Sequence, residues 1–300
     1  METPPRRDAE LVHWALIGRA VRPGTWAEQA EATPDRVERA VADGRDDDAV
    51  ALVRHLAVEA AEIHELFTDW SRRIPELLGT EEPVDGKHQV PWDEFHRAAA
   101  AWRPPAPLEP VLQALRTAHD GHLEHVATLV DLAVEVWGEE RLGELWAELQ
   151  ADGAAFYRAT YGPDQPWARS AARLLQVAIE GMHGHLGGPR GRGEITVEEH
   201  DDRVSLSFDP CGSGGRVLAA GANGVVEGRH DFAWNTPGVC RYCVHCCVLQ
   251  QLGPIDAFGY PARVIDPPTE PGARCTWTVY RDPALVPNAA YERVGRTRGG

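Results

Sequence analysis

Apolar residues recur at helical spacing through the first 186 residues and at alternating spacing after residue 194. The change falls on Gly-Gly-Pro-Arg-Gly-Arg-Gly-Glu at 187–194. A period of 3.6 and a period of 2 cannot belong to the same kind of element, so this switch limits the fold more than any other feature. Over about 48–78, Val50, Val53, Leu56, Ala60, Ile63, Phe67 and Trp70 form one stripe, and the spacing predicts an amphipathic helix ending near Gly79. A second long helix is predicted over about 109–136, opened by Pro110, with shorter ones over about 139–151 and 164–186. Near 8–20 and 34–43 the pattern predicts two further short helices. After the switch, Ile-Thr-Val-Glu-Glu-His-Asp-Asp-Arg-Val-Ser-Leu-Ser-Phe-Asp predicts a β-hairpin around His200, with strands near Pro261–Ile265 and Thr276–Tyr280 and a short helix within Val248–Phe258. The expected fold class is α+β: an N-terminal helical bundle over 1–186, followed by a small cysteine-rich α+β domain over 187–300.

The formal charge of −16 is concentrated in the helical part, where residues 1–190 hold 33 acidic against 19 basic residues. Such a surface repels phosphate backbones and anionic lipid heads, so the expected partner is a small-molecule substrate, with no nucleic acid and no membrane. Arg293, Arg296 and Arg298 read as a solvated terminal tail. Only Lys87 among the thirty basic residues is lysine, which leaves little room for Schiff-base chemistry. The opening Met-Glu-Thr-Pro-Pro-Arg-Arg-Asp-Ala-Glu lacks the apolar core of a secretory signal, and no apolar run reaches about 18 residues. The chain therefore reads as cytosolic.

All six cysteines lie between 211 and 275. Clustered thiols in a reducing compartment point to metal binding or thiol chemistry rather than a disulfide scaffold. Cys240, Cys243 and Cys246 give repeated Cys-x-x-Cys spacing, which converges thiolates on a zinc ion, and Cys211 is a candidate to complete the site, with Cys275 beside it. An iron–sulfur cluster is the alternative cofactor, although the spacing departs from the bacterial ferredoxin run. The same Cys-x-x-Cys also serves disulfide oxidoreductases.

Around Cys211, the stretch Pro-Cys-Gly-Ser-Gly-Gly-Arg offers main-chain amides at Gly212, Gly214 and Gly215 to an anion, with Arg216 placed to hold a carboxylate. No helical pattern is apparent after it, and the lysine of a phosphate-binding loop is missing. His183, His185 and His245 complete the candidate catalytic set with Arg216. His119, His122 and His125 in the bundle, with His55 and Glu59 on the other long helix, read as a solvated polar face.

The order Tyr242-Cys243 followed by Gly272-Ala-Arg-Cys275-Thr-Trp277 resembles the C-terminal part of the L-2-amino-thiazoline-4-carboxylic acid hydrolase family and the related 4-vinyl-reductase small-molecule-binding domains, over residues 240–281. The resemblance implies a compact α+β domain that binds a small nitrogen- or sulfur-containing molecule near cysteines. Taken together, the residues suggest a zinc-dependent hydrolase or lyase of a small anionic metabolite. The alternative is a non-catalytic small-molecule or metal sensor with a structural zinc site.

Overall fold

A computed structural model describes residues 1–4, 10–80, 91–221 and 223–299. Lys87 lies outside the described residues. The described chain opens with an antiparallel hairpin, β1 (Val12–Trp14) and β2 (Arg19–Val21), in which Val12 faces Val21. Val12 and Trp14 are buried and His13 between them is exposed, a period of two; Gly18 at φ 81° makes the return turn. The helix expected near 8–20 is therefore replaced by a hairpin over its described part. Two buried side chains over three residues suit a strand as well as a helical turn, and length alone could not separate them.

Among the described residues, eight α-helices follow: α1 (Trp26–Gln29), α2 (Thr33–Ala42), α3 (Asp46–Leu78), α4 (Trp92–Ala101), α5 (Glu109–Trp137), α6 (Leu142–Leu149), α7 (Ala151–Tyr161) and α8 (Trp167–Gly184). Three aspartates in the first turn of α3 complement the helix dipole, and Gly79 at φ 66° ends the helix in a left-handed cap. α3 is the axis of the bundle and packs against α2, α4, α5 and α8.

The remaining elements are β3 (Thr196–Glu199), β4 (Arg203–Phe208), α9 (Gly214–Ala220), α10 (Val244–Cys247), a π-helical turn over Val248–Leu252, α11 (Gly253–Phe258), β5 (Val264–Asp266), β6 (Cys275–Tyr280) and α12 (Asn288–Glu292). The four strands form one antiparallel sheet in the order β3-β4-β6-β5, with Leu206 paired to Val197 on one side and to Trp277 on the other. The fold is thus mixed α+β, mostly helical with a small antiparallel sheet. α9 corrects the expectation that no helix follows the glycine-rich segment.

One apolar cluster runs through both parts, joining Phe67, Trp70 and Trp146 of the helices to Leu206, Cys275 and Trp277 of the sheet. A second, made of residues such as Leu52, Phe95 and Leu115, lies within the α2–α5 end of the bundle. Of the C-terminal arginines, Arg293 and Arg296 are docked rather than solvated, while Arg298 is exposed. Arg293 pairs with Asp266, Arg296 with Asp256, and Arg298 lies over the Tyr291 ring. No helix among the described residues is long and apolar enough to cross a membrane.

Candidate functional site

A cavity of about 680 Å³ opens between α3, α7 and α8 and is closed below by residues just before and within α10. Phe67 and Trp70 of α3, Tyr157 of α7 and Trp277 of β6 give it aromatic walls. Its floor is shared with a second chamber of about 40 Å³, and His185, Tyr242, His245 and Cys246 line both spaces. Cys211, Cys243 and Cys275 face the small chamber, so four of the six thiols meet at the foot of the larger cavity.

His185 follows the C-terminus of α8 and is held by a chain of groups from two other elements, α9 and α5. The Arg216 guanidinium of α9 donates to the Asp120 carboxylate of α5; Asp120 Oδ1 lies 2.8 Å from His119 Nδ1, and His119 Nε2 lies 2.7 Å from His185 Nδ1. Although burial raises the Asp120 carboxyl, His119 and Arg216 together hold it below the usual carboxylate range, so it is ionised and can only accept. His119 must then donate through Nδ1 and accept through Nε2, and His185 must donate through Nδ1. The Nε2 of His185 is left with its lone pair, on a side chain that lines the cavity. Burial, reinforced by His119, His245 and Arg216, pushes the His185 pKa well down, so this nitrogen is neutral near pH 7.

The thiols divide into different chemical states. Cys211 Sγ takes a hydrogen bond from Cys275, and burial opposes the resulting stabilisation of the thiolate. The Ser213 hydroxyl at 3.4 Å and the amides of Ser213 and Gly215 add to it, and the net pKa falls to about 6. Cys275 is pushed well up by the same contact and by burial. Cys240 and Cys243 share a second hydrogen bond, and Cys243, also buried, stays protonated. Burial holds Cys246 protonated and His245 neutral, at about 4, so their 3.2 Å contact is a thiol donating to imidazole and not an ion pair. The other nitrogen of His245 donates to the Tyr242 carbonyl at 2.6 Å.

The expected site residues separate accordingly. Cys211, Cys243, Cys246, His185 and His245 meet at the floor, whereas Cys240 lies behind it, touching Cys243. Cys247 is fully buried on the far side, against the Asp231 carbonyl. His183 faces neither cavity; it sits in an internal network with Glu59 and Arg22. Arg216 is occupied by Asp120 and the Leu186 carbonyl and lines neither space. The glycines serve close packing within the chain. A Cβ on Gly212 would collide with the His185 carbonyl, one on Gly214 with Cys243 Sγ, and one on Gly215 would lie 3.3 Å from Cys211 Cβ. Among the described residues no three His, Cys, Asp or Glu side chains are arranged to hold a metal ion.

His119, His122 and His125 are buried, as are His55 and Glu59, which corrects the reading of a solvated polar face. His119 and Asp120, which the structure joins to His185, are residues of the candidate site that sequence reasoning missed. Their signal was a His-Asp step on a face that also carries apolar residues of the core. No family model, curated protein or solved structure matches the chain.

Proposed function

We propose that the protein is a hydrolase or lyase of a small anionic nitrogen- or sulfur-containing molecule, bound in the large cavity and transformed at its floor. The single observation that carries this reading is the chain Asp120–His119–His185, which delivers a neutral, oriented imidazole nitrogen to the edge of a thiol-lined chamber. An inert binding pocket has no need of a carboxylate-oriented histidine, whereas proton transfer does. In this reading Cys211 thiolate adds to an electrophilic carbon of the ligand. The ligand's carbon–heteroatom bond then breaks, the leaving atom taking its proton from solvent; a water next gives a proton to His185 Nε2 and attacks the same carbon, the carbon–sulfur bond breaks with its electron pair returning to the Cys211 thiolate, and His185 releases the proton to solvent. Asp120 and His119 are positioning residues: they fix the ring and stabilise its charged form as it appears.

A second reading puts a zinc ion in the small chamber, favoured by the four thiols that share about 40 Å³. Cys211, Cys243 and Cys246 would have to draw together to hold it, leaving the fourth position to a water that the ion would activate, whereas Cys275 as a fourth ligand would close the site and make it structural. Elemental analysis of the purified chain separates the two: about one zinc per chain selects the second reading, a brown sulfide-containing protein selects an iron–sulfur cluster, and active metal-free protein selects the thiolate. For either, turnover of a panel of small nitrogen- and sulfur-heterocyclic acids, followed by mass spectrometry, should fall about 10²-fold or more in His185→Gln and about ten-fold or more in Asp120→Asn, with the fold retained. Unchanged turnover in both variants would leave a binding module with no catalytic role for the floor.

A further inference from the structure

Three arginines of the described chain are almost fully buried: Arg22, Arg36 and Arg263. Arg22 has the Glu59 carboxylate at 2.6 Å and Arg36 has Glu10 at 3.3 Å, but Arg263 has no carboxylate within 4.0 Å among the described residues. Acids are not scarce in a chain with 46 of them. A guanidinium at 3% exposure without a counter-ion is costly unless something else supplies negative charge. Its donors go to neutral groups: Gln250 Oε1 at 2.5 Å, Tyr157 Oη at 3.2 Å and the Leu174 carbonyl at 2.6 Å, while its face covers the Trp277 ring at 5.3 Å.

Arg173 lies on the same wall, one residue from the carbonyl that Arg263 holds. Its Nε and Nη2 both go to the Leu16 carbonyl, and Nη1 makes no hydrogen bond among the described residues. Both arginines line the large cavity, as does Glu62, which makes no ion pair with either. Burial raises the Glu62 carboxyl above its usual range, opposed by the charges of Arg263 and Arg19, so Glu62 feels the Arg263 guanidinium without pairing with it.

We infer that this wall is a carboxylate-binding subsite, in which Arg173 and Arg263 hold the anionic end of a ligand whose flat apolar body lies among Trp277, Tyr157 and Phe67. Guanidinium groups match the planar, two-oxygen acceptor of a carboxylate. Trp277 lines both chambers, so a ligand anchored over it can extend its other end to the floor. The inference deepens the proposed function by naming the recognised group, and it rests on the cavity being a small-molecule site rather than on the chemistry at the floor.

The test is titration of the full-length protein with 3-phenylpropanoate and 4-phenylbutanoate against their neutral amides, followed by tryptophan fluorescence. Because a guanidinium–carboxylate pair is charge-assisted, the acids should bind about ten-fold or more tightly than the amides. Arg173→Gln should remove most of that preference and leave amide affinity within about two-fold. It is half-buried and bonded only to a carbonyl, so this variant should fold even if Arg263→Met does not. Equal binding of acid and amide, no saturable binding of either, or the same preference in Arg173→Gln would overturn the subsite. Inorganic phosphate binding as tightly as the acids would overturn its assignment to carboxylate. His185→Gln should keep the acid preference, so loss of turnover there bears on the floor alone; turnover of neutral compounds without any acid preference would remove the subsite and leave the proposed chemistry standing.

Discussion

His122 shows how a polar side chain becomes a core residue. Trp92 Nε1 donates to its Nδ1 at 3.0 Å, and its Nε2 then donates to Ser71 Oγ at 3.1 Å, so both nitrogens are satisfied in the neutral form alone. Burial, with His125, His64 and His119 nearby, brings its pKa down to about 4. The folded-state value lies below the ordinary one near 6.5, so the native state favours the neutral ring. The stability this gives is complete above pH 6.5 and is lost as pH falls through about 4. Urea unfolding should therefore show lower stability at pH 4.5 than at pH 7.5, and His122→Phe should reduce that loss. At pH 7.5 the same variant should cost about 1–3 kcal/mol, because the Trp92 N–H is left without an acceptor. Equal stability of the parent at both pH values would contradict the assignment. None of this was legible in the spacing of His119, His122 and His125. Their periodicity placed them on one helix face, but the groups that make burial tolerable arrive from other elements.

At the scale of elements, α8 crosses α3 closely enough that Gly184 is a contact residue. A Cβ there would stand 2.5 Å from the Glu59 carbonyl oxygen, a backbone atom that cannot swing aside. Alanine gains about 1 kcal/mol in helix propensity over glycine, but forcing two helices apart costs about 1–3 kcal/mol or more, so the packing term should win. Gly184→Ala is expected to lower Tm by several degrees. Gly121→Ala, in the middle of α5 with no atom within 4 Å of its added Cβ, should raise Tm. Thermal melts of the two variants decide between propensity and contact, and a stabilised Gly184→Ala would refute the close crossing. The long helices and the sheet strands were readable because many residues repeat one pattern in each. The β1–β2 hairpin and α9 were not, because three or seven residues hold too few periods. Gly212 before α9 and Gly214 and Gly215 in its first turn looked like a ligand cradle although they are spent on His185, Cys243 and Cys211.

The site is a property of the whole molecule. α5 supplies Asp120 and His119, the segment after α8 supplies His185, the turn into α9 supplies Cys211, and β6 supplies Cys275 and Trp277. The apolar cluster common to bundle and sheet holds these pieces in register. The clustering of cysteines gave the candidate thiols, and Arg216 in the glycine-rich segment suggested an anionic ligand. The residue meant to hold its charge, Arg216, is instead spent on orienting the histidine pair, and Arg173 and Arg263 take the place it leaves.

Because the Cys211 environment exists only when Cys275 and the amides of Ser213 and Gly215 are assembled around it, its reactivity reports directly on the proposed floor. The decisive measurement is the pH dependence of Cys211 alkylation by iodoacetamide between pH 5 and 9, followed by peptide mass spectrometry, in native and urea-unfolded protein. The native rate should have its midpoint near pH 6 and the unfolded rate near the ordinary thiol value of about 8.5. Cys247, pushed up to about 12, should stay unlabelled while the protein is folded. A native midpoint above pH 8, or Cys211 reacting no faster than Cys247, would contradict a reactive thiolate in the small chamber at the floor.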